Sequence, residues 1–320
     1  MIESPKTVSQ WLEGWVDTYE SSVSRKTQKR YELAISRFAA WSGNQRMDRV
    51  TQRDIQMYIN TMSKYSEETV KKTVQVLFRF FRTASWAGVI VKNPVFDIRL
   101  PKCRAAVHRR RITDGERRMI LEVASHHPLG LYVKIMLYCG LRTMEVAALD
   151  GRHIDLAHRM IRVRQSIKSD GTIGVPKSAA GNRDVPIPDV LLPDLQNLDL
   201  KPYEPAVVHQ GVHGPARYTQ NTVKREWADF KSNMKKLGPV APDLVMYDLR
   251  HTYCTDLEAA GVPINIARDL MGHANISITS KIYTHRSAES LEKAKDLIDS
   301  FQDKKAGKCD KSVTSSEKTL

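Results

Sequence analysis

The sequence predicts a mainly helical protein of two domains, the second of which carries one small antiparallel β-sheet. Apolar residues recur at helical spacing four times between Val8 and Gly88. Periodicity then vanishes between Asn93 and Ile112, in a stretch broken by Pro94 and Pro101. Only one block, from Ile161 to Ile187, alternates apolar and polar residues around turn chemistry. A chain of 320 residues suffices for two domains of about 100–200 residues each.

In the expected first domain, residues 1–92, Val8, Leu12, Trp15 and Tyr19 lie on one face of a first helix, and Tyr31, Ala34, Ile35 and Phe38 on one face of a second. Thr51 and Asp54 open a third helix through Ile55, Tyr58 and Ile59. Ser66 with Glu67 and Glu68 starts a fourth, packed through Val70, Val74, Leu77 and Phe81 and closed at Gly88. Lys71, Lys72 and Arg79 on that helix are candidate phosphate contacts, with a merely solvated basic face as the competing reading. Residues 93–112 read as an interdomain linker. Arg109, Arg110 and Arg111 end a basic run with no acid after Asp97, and they are the linker's candidate contacts to a DNA backbone.

The second domain is expected over 113–301. Thr113-Asp-Gly-Glu116 forms a capping box before Met119, Ile120 and Val123, and a further helix follows over 129–138. A strand carrying Ile161, Val163 and Ile167 leads into the turn Lys168-Ser-Asp-Gly171, a second strand returns over 172–175, and a third covers 183–187. Helices are expected around 190–198 and over 220–237, the latter burying Trp227, Phe230 and Met234. Leu249, Tyr253, Leu257 and Ala260 define the next helix, which Gly261 ends. Pro263 suits the first turn of another, with Ile266, Ala267 and Leu270 as its apolar side and Gly272 as its stop. A short segment with Ile276, Ile278 and Ile282 and a final helix over 288–301 complete the domain. The polar tail, 302–320, is expected to be disordered.

A formal net charge of +14 points to a polyanionic partner, and nucleic acid is favoured over a membrane. No run approaches the ~18 apolar residues of a membrane span. The first ten residues, MIESPKTVSQ, lack the apolar core of a signal peptide, so a cytoplasmic location is expected. Cys103, Cys139, Cys254 and Cys309 are far apart without a C-x-x-C pair, which supports neither a zinc site nor a disulfide framework. With no carboxylate cluster suited to a divalent metal, neither metal nor cofactor is expected.

Chemistry concentrates between residues 247 and 285. This stretch offers Arg250 beside His251, His273 after Gly272, and Tyr283 among polar neighbours, on three short elements that could fold onto one point. Such groups suit a phosphodiester. The stretch resembles the C-terminal signature of the tyrosine recombinases, the phage-integrase family, whose pattern is HxxR, then LGH, then a nucleophilic tyrosine. Here it runs Tyr247-Asp-Leu-Arg250, Leu-Met-Gly-His273 and Ile-Tyr283, with Tyr247 standing where the family has histidine. Gly140-Leu-Arg142-Thr-Met-Glu145 resembles the family's first arginine box, although a structural pair of Arg142 with Glu145 is the default for that motif alone. Lys177, in PKSAAGNRDVPIP, resembles the β-hairpin lysine ahead of the family's (R)xVP segment, and Lys168 competes for the role.

The resemblance implies a helical SAM-like core-binding domain followed by a mixed α/β catalytic domain, in an Xer-like two-domain layout. It implies a site-specific recombinase that cuts and rejoins double-stranded DNA through a 3′-phosphotyrosyl link, without metal or ATP. Tyr283 would be the nucleophile, Arg142 and Arg250 the phosphate clamp, His273 a further donor to the phosphate and Lys177 the proton source for the leaving oxygen. Glu145 and Asp248 would orient the arginines. Tyr247 stays open: it hydrogen-bonds the phosphate, or His251 takes over, or proton removal there matters little, since a phenol is a poorer base at neutral pH than an imidazole. The implied assembly is a tetramer on DNA joined through the C-terminal helix, with accessory factors left open. Integration or excision of a mobile element or prophage is the expected setting. Xer-type chromosome or plasmid resolution, a DNA-binding regulator that does not cut, and a type IB topoisomerase are the alternatives.

Overall fold

Gly14 divides the first expected helix in two. The computed structural model of the chain describes residues 6–280, other than 106–109, 169, 177 and 213, together with 295, 298 and 299. In it, α1 (Val8–Leu12) and α2 (Trp15–Tyr19) meet at Gly14, whose φ of 75° is one that glycine adopts without penalty. Then come α3 (Arg25–Trp41), α4 (Gln52–Asn60), opened by a Thr51–Asp54 capping box, and α5 (Glu67–Trp86), where the Ser66 side chain accepts from Thr69 N. Their apolar faces enclose Trp15, Ile35, Phe38, Ile55, Leu77, Phe80 and Phe81. The one polar atom of the Trp15 ring is satisfied by Thr83 Oγ1 at 2.7 Å.

The chain divides into two compact units between residues 108 and 109. Much of the stretch read as a linker is packed on the first unit. Val95 is buried there, Ile98, Leu100 and Cys103 lie against its core, and the Gln56 amide both donates to and accepts from the Arg99 backbone, at 2.8 and 2.9 Å. Prolines stop a repeating backbone pattern without preventing side-chain burial.

The second unit opens with α6 (Asp114–Ala124) behind the Thr113–Glu116 capping box, followed by α7 (Gly130–Cys139) and α8 (Thr143–Val146). α7 has almost no polar side and is buried through Tyr132, Val133, Ile135, Met136, Leu137 and Cys139. The expected strand over 161–167 is split. β1 (Ile154–Asp155) and β2 (Met160–Val163) begin one sheet, whereas β3 (Ser166–Ile167) leaves it and pairs with β4 (Ile173–Gly174) across a turn in which Gly171 N donates to Lys168 O at 3.0 Å. β5 (Arg183–Pro186) returns to complete the antiparallel order β1-β2-β5, with Val185 opposite Ile161 and Arg183 opposite Val163.

After α9 (Leu192–Gln196) comes a hairpin with no sequence signal, β6 (Val208–Gly211) and β7 (Gly214–Arg217), in a segment whose residues do not alternate. α10 (Gln220–Leu237) buries Val223, Trp227, Phe230 and Met234. α11 (Tyr247–Ala259) packs against α7, and α12 (Ile264–Met271) and α13 (Ile276–Ser280) follow. Pro263 stands as the N-cap of α12, one position earlier than expected. Apart from residues 295, 298 and 299, the expected final helix and the tail lie outside the described residues. No helix among the described residues is long and apolar enough to cross a membrane.

Candidate active site

Three arginines converge on the end of α12. The last carbonyls of a helix have no partner within it and carry the negative end of its dipole. Here Leu270 O accepts from Arg183 Nε at 2.7 Å, Met271 O from Arg250 Nη2, and Gly272 O from Arg142 Nη2 at 2.7 Å. Successive carbonyls of one helix end thus hold three guanidiniums, contributed by β5, α11 and the residue that caps α8. Gly272 makes this geometry possible: its φ is +62°, and a Cβ there would stand 2.8 Å from Ala180 O and 3.0 Å from Arg183 Nη1. Gly140, at the end of α7, is equally constrained, since a Cβ would meet the Tyr253 ring at 2.1 Å; its carbonyl accepts from Arg250 Nη1.

A single carboxylate balances the cluster from inside. Glu145 accepts from Arg142 Nη1 at 2.6 Å, from Arg142 N at 2.9 Å and from Arg183 Nη2 at 2.7 Å, and its side chain is 1 % exposed. Burial by itself would push its pKa up. The hydrogen bond and charge of Arg183, with the charge of Arg142, outweigh burial and hold it down at about 2. Glu145 is therefore ionised at neutral pH and anchors the arginines.

Arg250 is fully buried, and its Nε has no hydrogen-bond partner among the described residues. Burial, then the charges of Arg142 and Arg183, lower its pKa to about 10, so it remains a cation near neutrality. A buried guanidinium nitrogen without a partner is costly. Arg142, with 38 % of its side chain exposed, is the guanidinium that reaches the surface. His273 follows Gly272 directly, is 5 % exposed, and places Nδ1 2.9 Å from Thr279 Oγ1. Burial, then the charges of Arg250, Arg142 and Arg183, lower its pKa to about 4, so the imidazole is neutral. In the tautomer in which Thr279 donates to Nδ1, the ring proton sits on Nε2 as a hydrogen-bond donor.

These two shifts give a stability prediction with a definite sign. The folded state resists the proton that an unfolded His273, at its ordinary 6.5, would accept; that contribution is complete above 6.5 and declines as pH falls towards 4. Glu145 contributes fully above its ordinary 4.5 and loses that contribution as pH falls towards 2. Thermal melts of the DNA-free protein should show a midpoint that falls continuously as pH drops from 6.5, with His273→Gln flattening the upper part of the fall. A midpoint level between 6.5 and 4.5 would contradict the burial of a neutral His273.

Among the residues singled out in the sequence, Arg142, Arg250 and His273 come together here. Tyr247, 42 % exposed, opens α11 one turn before Arg250. Lys177, Tyr283 and Arg109 lie outside the described residues. Lys168 folds across its own hairpin, where a Cβ on Gly174 would meet its Nζ at 2.8 Å.

The candidate DNA contacts divide. Lys71 and Lys72 sit in exposed pairs with Glu67 and Glu68, at 2.5 and 3.0 Å, of a kind that holds a lysine only weakly. Arg79 is tied to the buried carboxylate of Glu20 at 3.3 Å. Arg110 forks onto Glu116 at 2.7 and 2.6 Å, completing the start of α6, and Arg111 is exposed. Arg183 and Thr279 were not singled out as site residues. Strand alternation places Arg183 inward with Val185, and an inward-facing arginine needs buried partners; nothing local marks Thr279. No group of three or more His, Cys, Asp or Glu side chains among the described residues is arranged to hold a metal.

Comparison with known proteins gives the family. The model of the phage integrase family matches residues 110–290, and that of the phage integrase N-terminal SAM-like domain matches residues 11–85. The chain is 26% identical over 277 residues to a tyrosine recombinase of Thermosipho africanus, covering 82% of this chain and 89% of that protein. It is 24% identical over 271 residues to the transposase of transposon Tn916 from Enterococcus faecalis, covering 78% and 66%. Among solved structures, the Tn1549 transposon integrase in complex with a circular intermediate DNA superposes with a TM-score of 0.76 at 20% identity, over 92% of this chain and 99% of that one. A lambda integrase dimer bound to a core site gives 0.64 at 19% identity, over 88% and 97%. The likeness to these two structures is one of fold.

Proposed function

The chain belongs to the phage integrase family, and on that footing we propose that it is a tyrosine site-specific recombinase acting on double-stranded DNA. The observation that carries this reading is the set of guanidiniums held on the carbonyls of Leu270, Met271 and Gly272, with His273 next in sequence. A scissile phosphate enters beside the exposed Arg142. Its charge in the transition state is met by two guanidiniums already fixed in direction, which avoids reorganisation at the moment of reaction. Neutral His273 donates from Nε2 to a phosphate oxygen, and Glu145 keeps Arg142 aimed. Tyr247, 42 % exposed and one turn before Arg250, serves as a hydrogen-bond donor to the same phosphate.

The covalent step assigns the remaining roles. The phenol of Tyr283 gives up its proton to solvent as its oxygen attacks phosphorus, the bond to the 5′ oxygen breaks, and the enzyme is left on the 3′ phosphate. Lys177 gives the departing 5′ oxygen its proton. Attack by the 5′-hydroxyl of another strand on the phosphotyrosyl link reverses the chemistry and rejoins DNA, conserving the bond energy without ATP. Integration and excision of a mobile element suit a chain that departs from HxxR at Tyr247 and has a transposon transposase among its relatives. A tetramer on DNA, linked through residues 288–301, gives the assembly.

Trapping on nicked suicide DNA carrying the attachment site, in EDTA and resolved on a denaturing gel, tests the reading. A covalent adduct is expected. Sequence-specific binding in a native gel with no adduct would instead favour a regulator that keeps the fold without cutting.

Lys177 has its own test. Lys177→Ala should lose about 100-fold or more in cleavage of ordinary DNA, the usual range for a removed general acid. It should recover on a 5′-thio leaving group, which needs no proton. If Lys168→Ala shows that rescue and Lys177→Ala does not, the proton comes from the turn lysine.

A further inference from the structure

Arg183 has no part in the chemistry above, yet it joins three segments that do. It faces inward from β5 and is 7 % exposed. Nη2 donates to Glu145 Oε2 at 2.7 Å, Nε to Leu270 O at 2.7 Å and Nη1 to Gly181 O at 3.2 Å. Each partner belongs to a segment that carries a reacting group. Glu145 holds both the backbone and the side chain of Arg142. Leu270 begins the turn that delivers His273, and Gly181 lies four residues beyond Lys177. The fit is close, since a Cβ on Gly272 would already press on Arg183 Nη1 at 3.0 Å.

We infer that Arg183 is a positioning residue for the cleavage step, fixing Glu145 against Arg142 and the Gly272 turn against β5 so that the phosphate clamp stays assembled. The inference rests on the recombinase reading of this site. A planar fork with donors in three directions is what the three acceptors require, and an ammonium cannot reach all of them. The charge matters as well. Glu145 is faced by Arg142 from its own segment, by Arg183 from β5 and by Arg250 from α11, with His273 and Tyr253 also close to the arginines. Removing Arg183 takes away the group that does most to offset burial of this carboxylate, and protonation of Glu145 then releases Arg142.

The test uses the full chain with Arg183→Met and Arg183→Lys, reading single-turnover adduct formation against pH, DNA affinity, and the acid-unfolding midpoint of the DNA-free protein. A displacement of order 1 Å in a reacting group costs about 100-fold, so the Met variant should lose about that much in rate while its DNA affinity stays within about threefold. Its deficit relative to the parent should widen as pH falls, and its acid-unfolding midpoint should move to higher pH. The Lys variant, which restores the charge, should remove the extra pH dependence and recover only part of the rate.

A Met variant that cleaves within a few-fold of the parent, with an unchanged unfolding midpoint, overturns the positioning role. So does a deficit equal at every pH that tracks a loss of DNA affinity, which is the mark of general damage. If the Met variant does not fold, a Lys variant with the parent's rate and midpoint overturns it equally. A parent that forms no adduct while the Met variant still unfolds at higher pH sinks the recombinase reading and leaves the arginine–glutamate link standing.

Discussion

Tyr283→Phe should bind its DNA site with the parent's affinity and form no covalent adduct at all. The substitution removes one oxygen atom, and with it the only atom to which the proposal attaches the 3′ phosphate. An aromatic ring of the same shape remains, so folding and DNA contacts should be undisturbed. Loss of the nucleophile differs in kind from loss of a stabilising contact, because no neighbouring group inherits the bond. The measurement is denaturing-gel trapping of parent and variant side by side. An adduct formed by the variant would remove Tyr283 from the mechanism and make another hydroxyl the nucleophile.

Arg250→Ala carries the second-largest expected effect. Its guanidinium is fully buried and bonded to the carbonyls of Gly140 and Met271, and its Nε has no partner among the described residues. Truncation removes a preorganised donor to the developing phosphate charge, and losses of about 100–1,000-fold are usual for one such donor. Single-turnover cleavage should fall at least that far. Stability responds to two opposed effects. Repulsion from Arg142 and Arg183 is relieved, while two backbone carbonyls lose their donor inside the fold, at about 1–3 kcal/mol for each group left unsatisfied. A modest drop in thermal midpoint is expected, of about 2–4 °C per kcal/mol for a unit this size. Arg250→Lys should restore part of the stability and little of the cleavage, because an ammonium lacks the fork. A variant lacking the guanidinium that cleaves within tenfold of the parent would show that Arg142 alone carries the phosphate.

Much of the fold was legible because it rests on local pattern. The capping boxes at Thr51 and Thr113 begin α4 and α6, and the stripe through Trp227, Phe230 and Met234 is the buried face of α10. Such signals depend on neighbours a few residues apart, which a sequence displays directly. The expected first helix failed on Gly14, where the apolar spacing continued but the backbone did not. The strand over 161–167 failed because alternation cannot say which partner each half will choose. The hairpin β6–β7 carried no alternation to read.

For the site, the sequence by itself determined which residue types are present and in what order: the two arginine boxes, the glycine–histidine pair and the basic balance of the chain. Only the tertiary structure decided how a surplus of buried positive charge is held. Arg142, Arg183 and Arg250 lie far apart in the chain, and their shared partner is the open end of α12 together with Glu145. Backbone carbonyls look the same in every sequence, so a site built on them leaves no mark in residue identity. Their direction is fixed only when α12 ends at Gly272 against β5, and that contact is long-range.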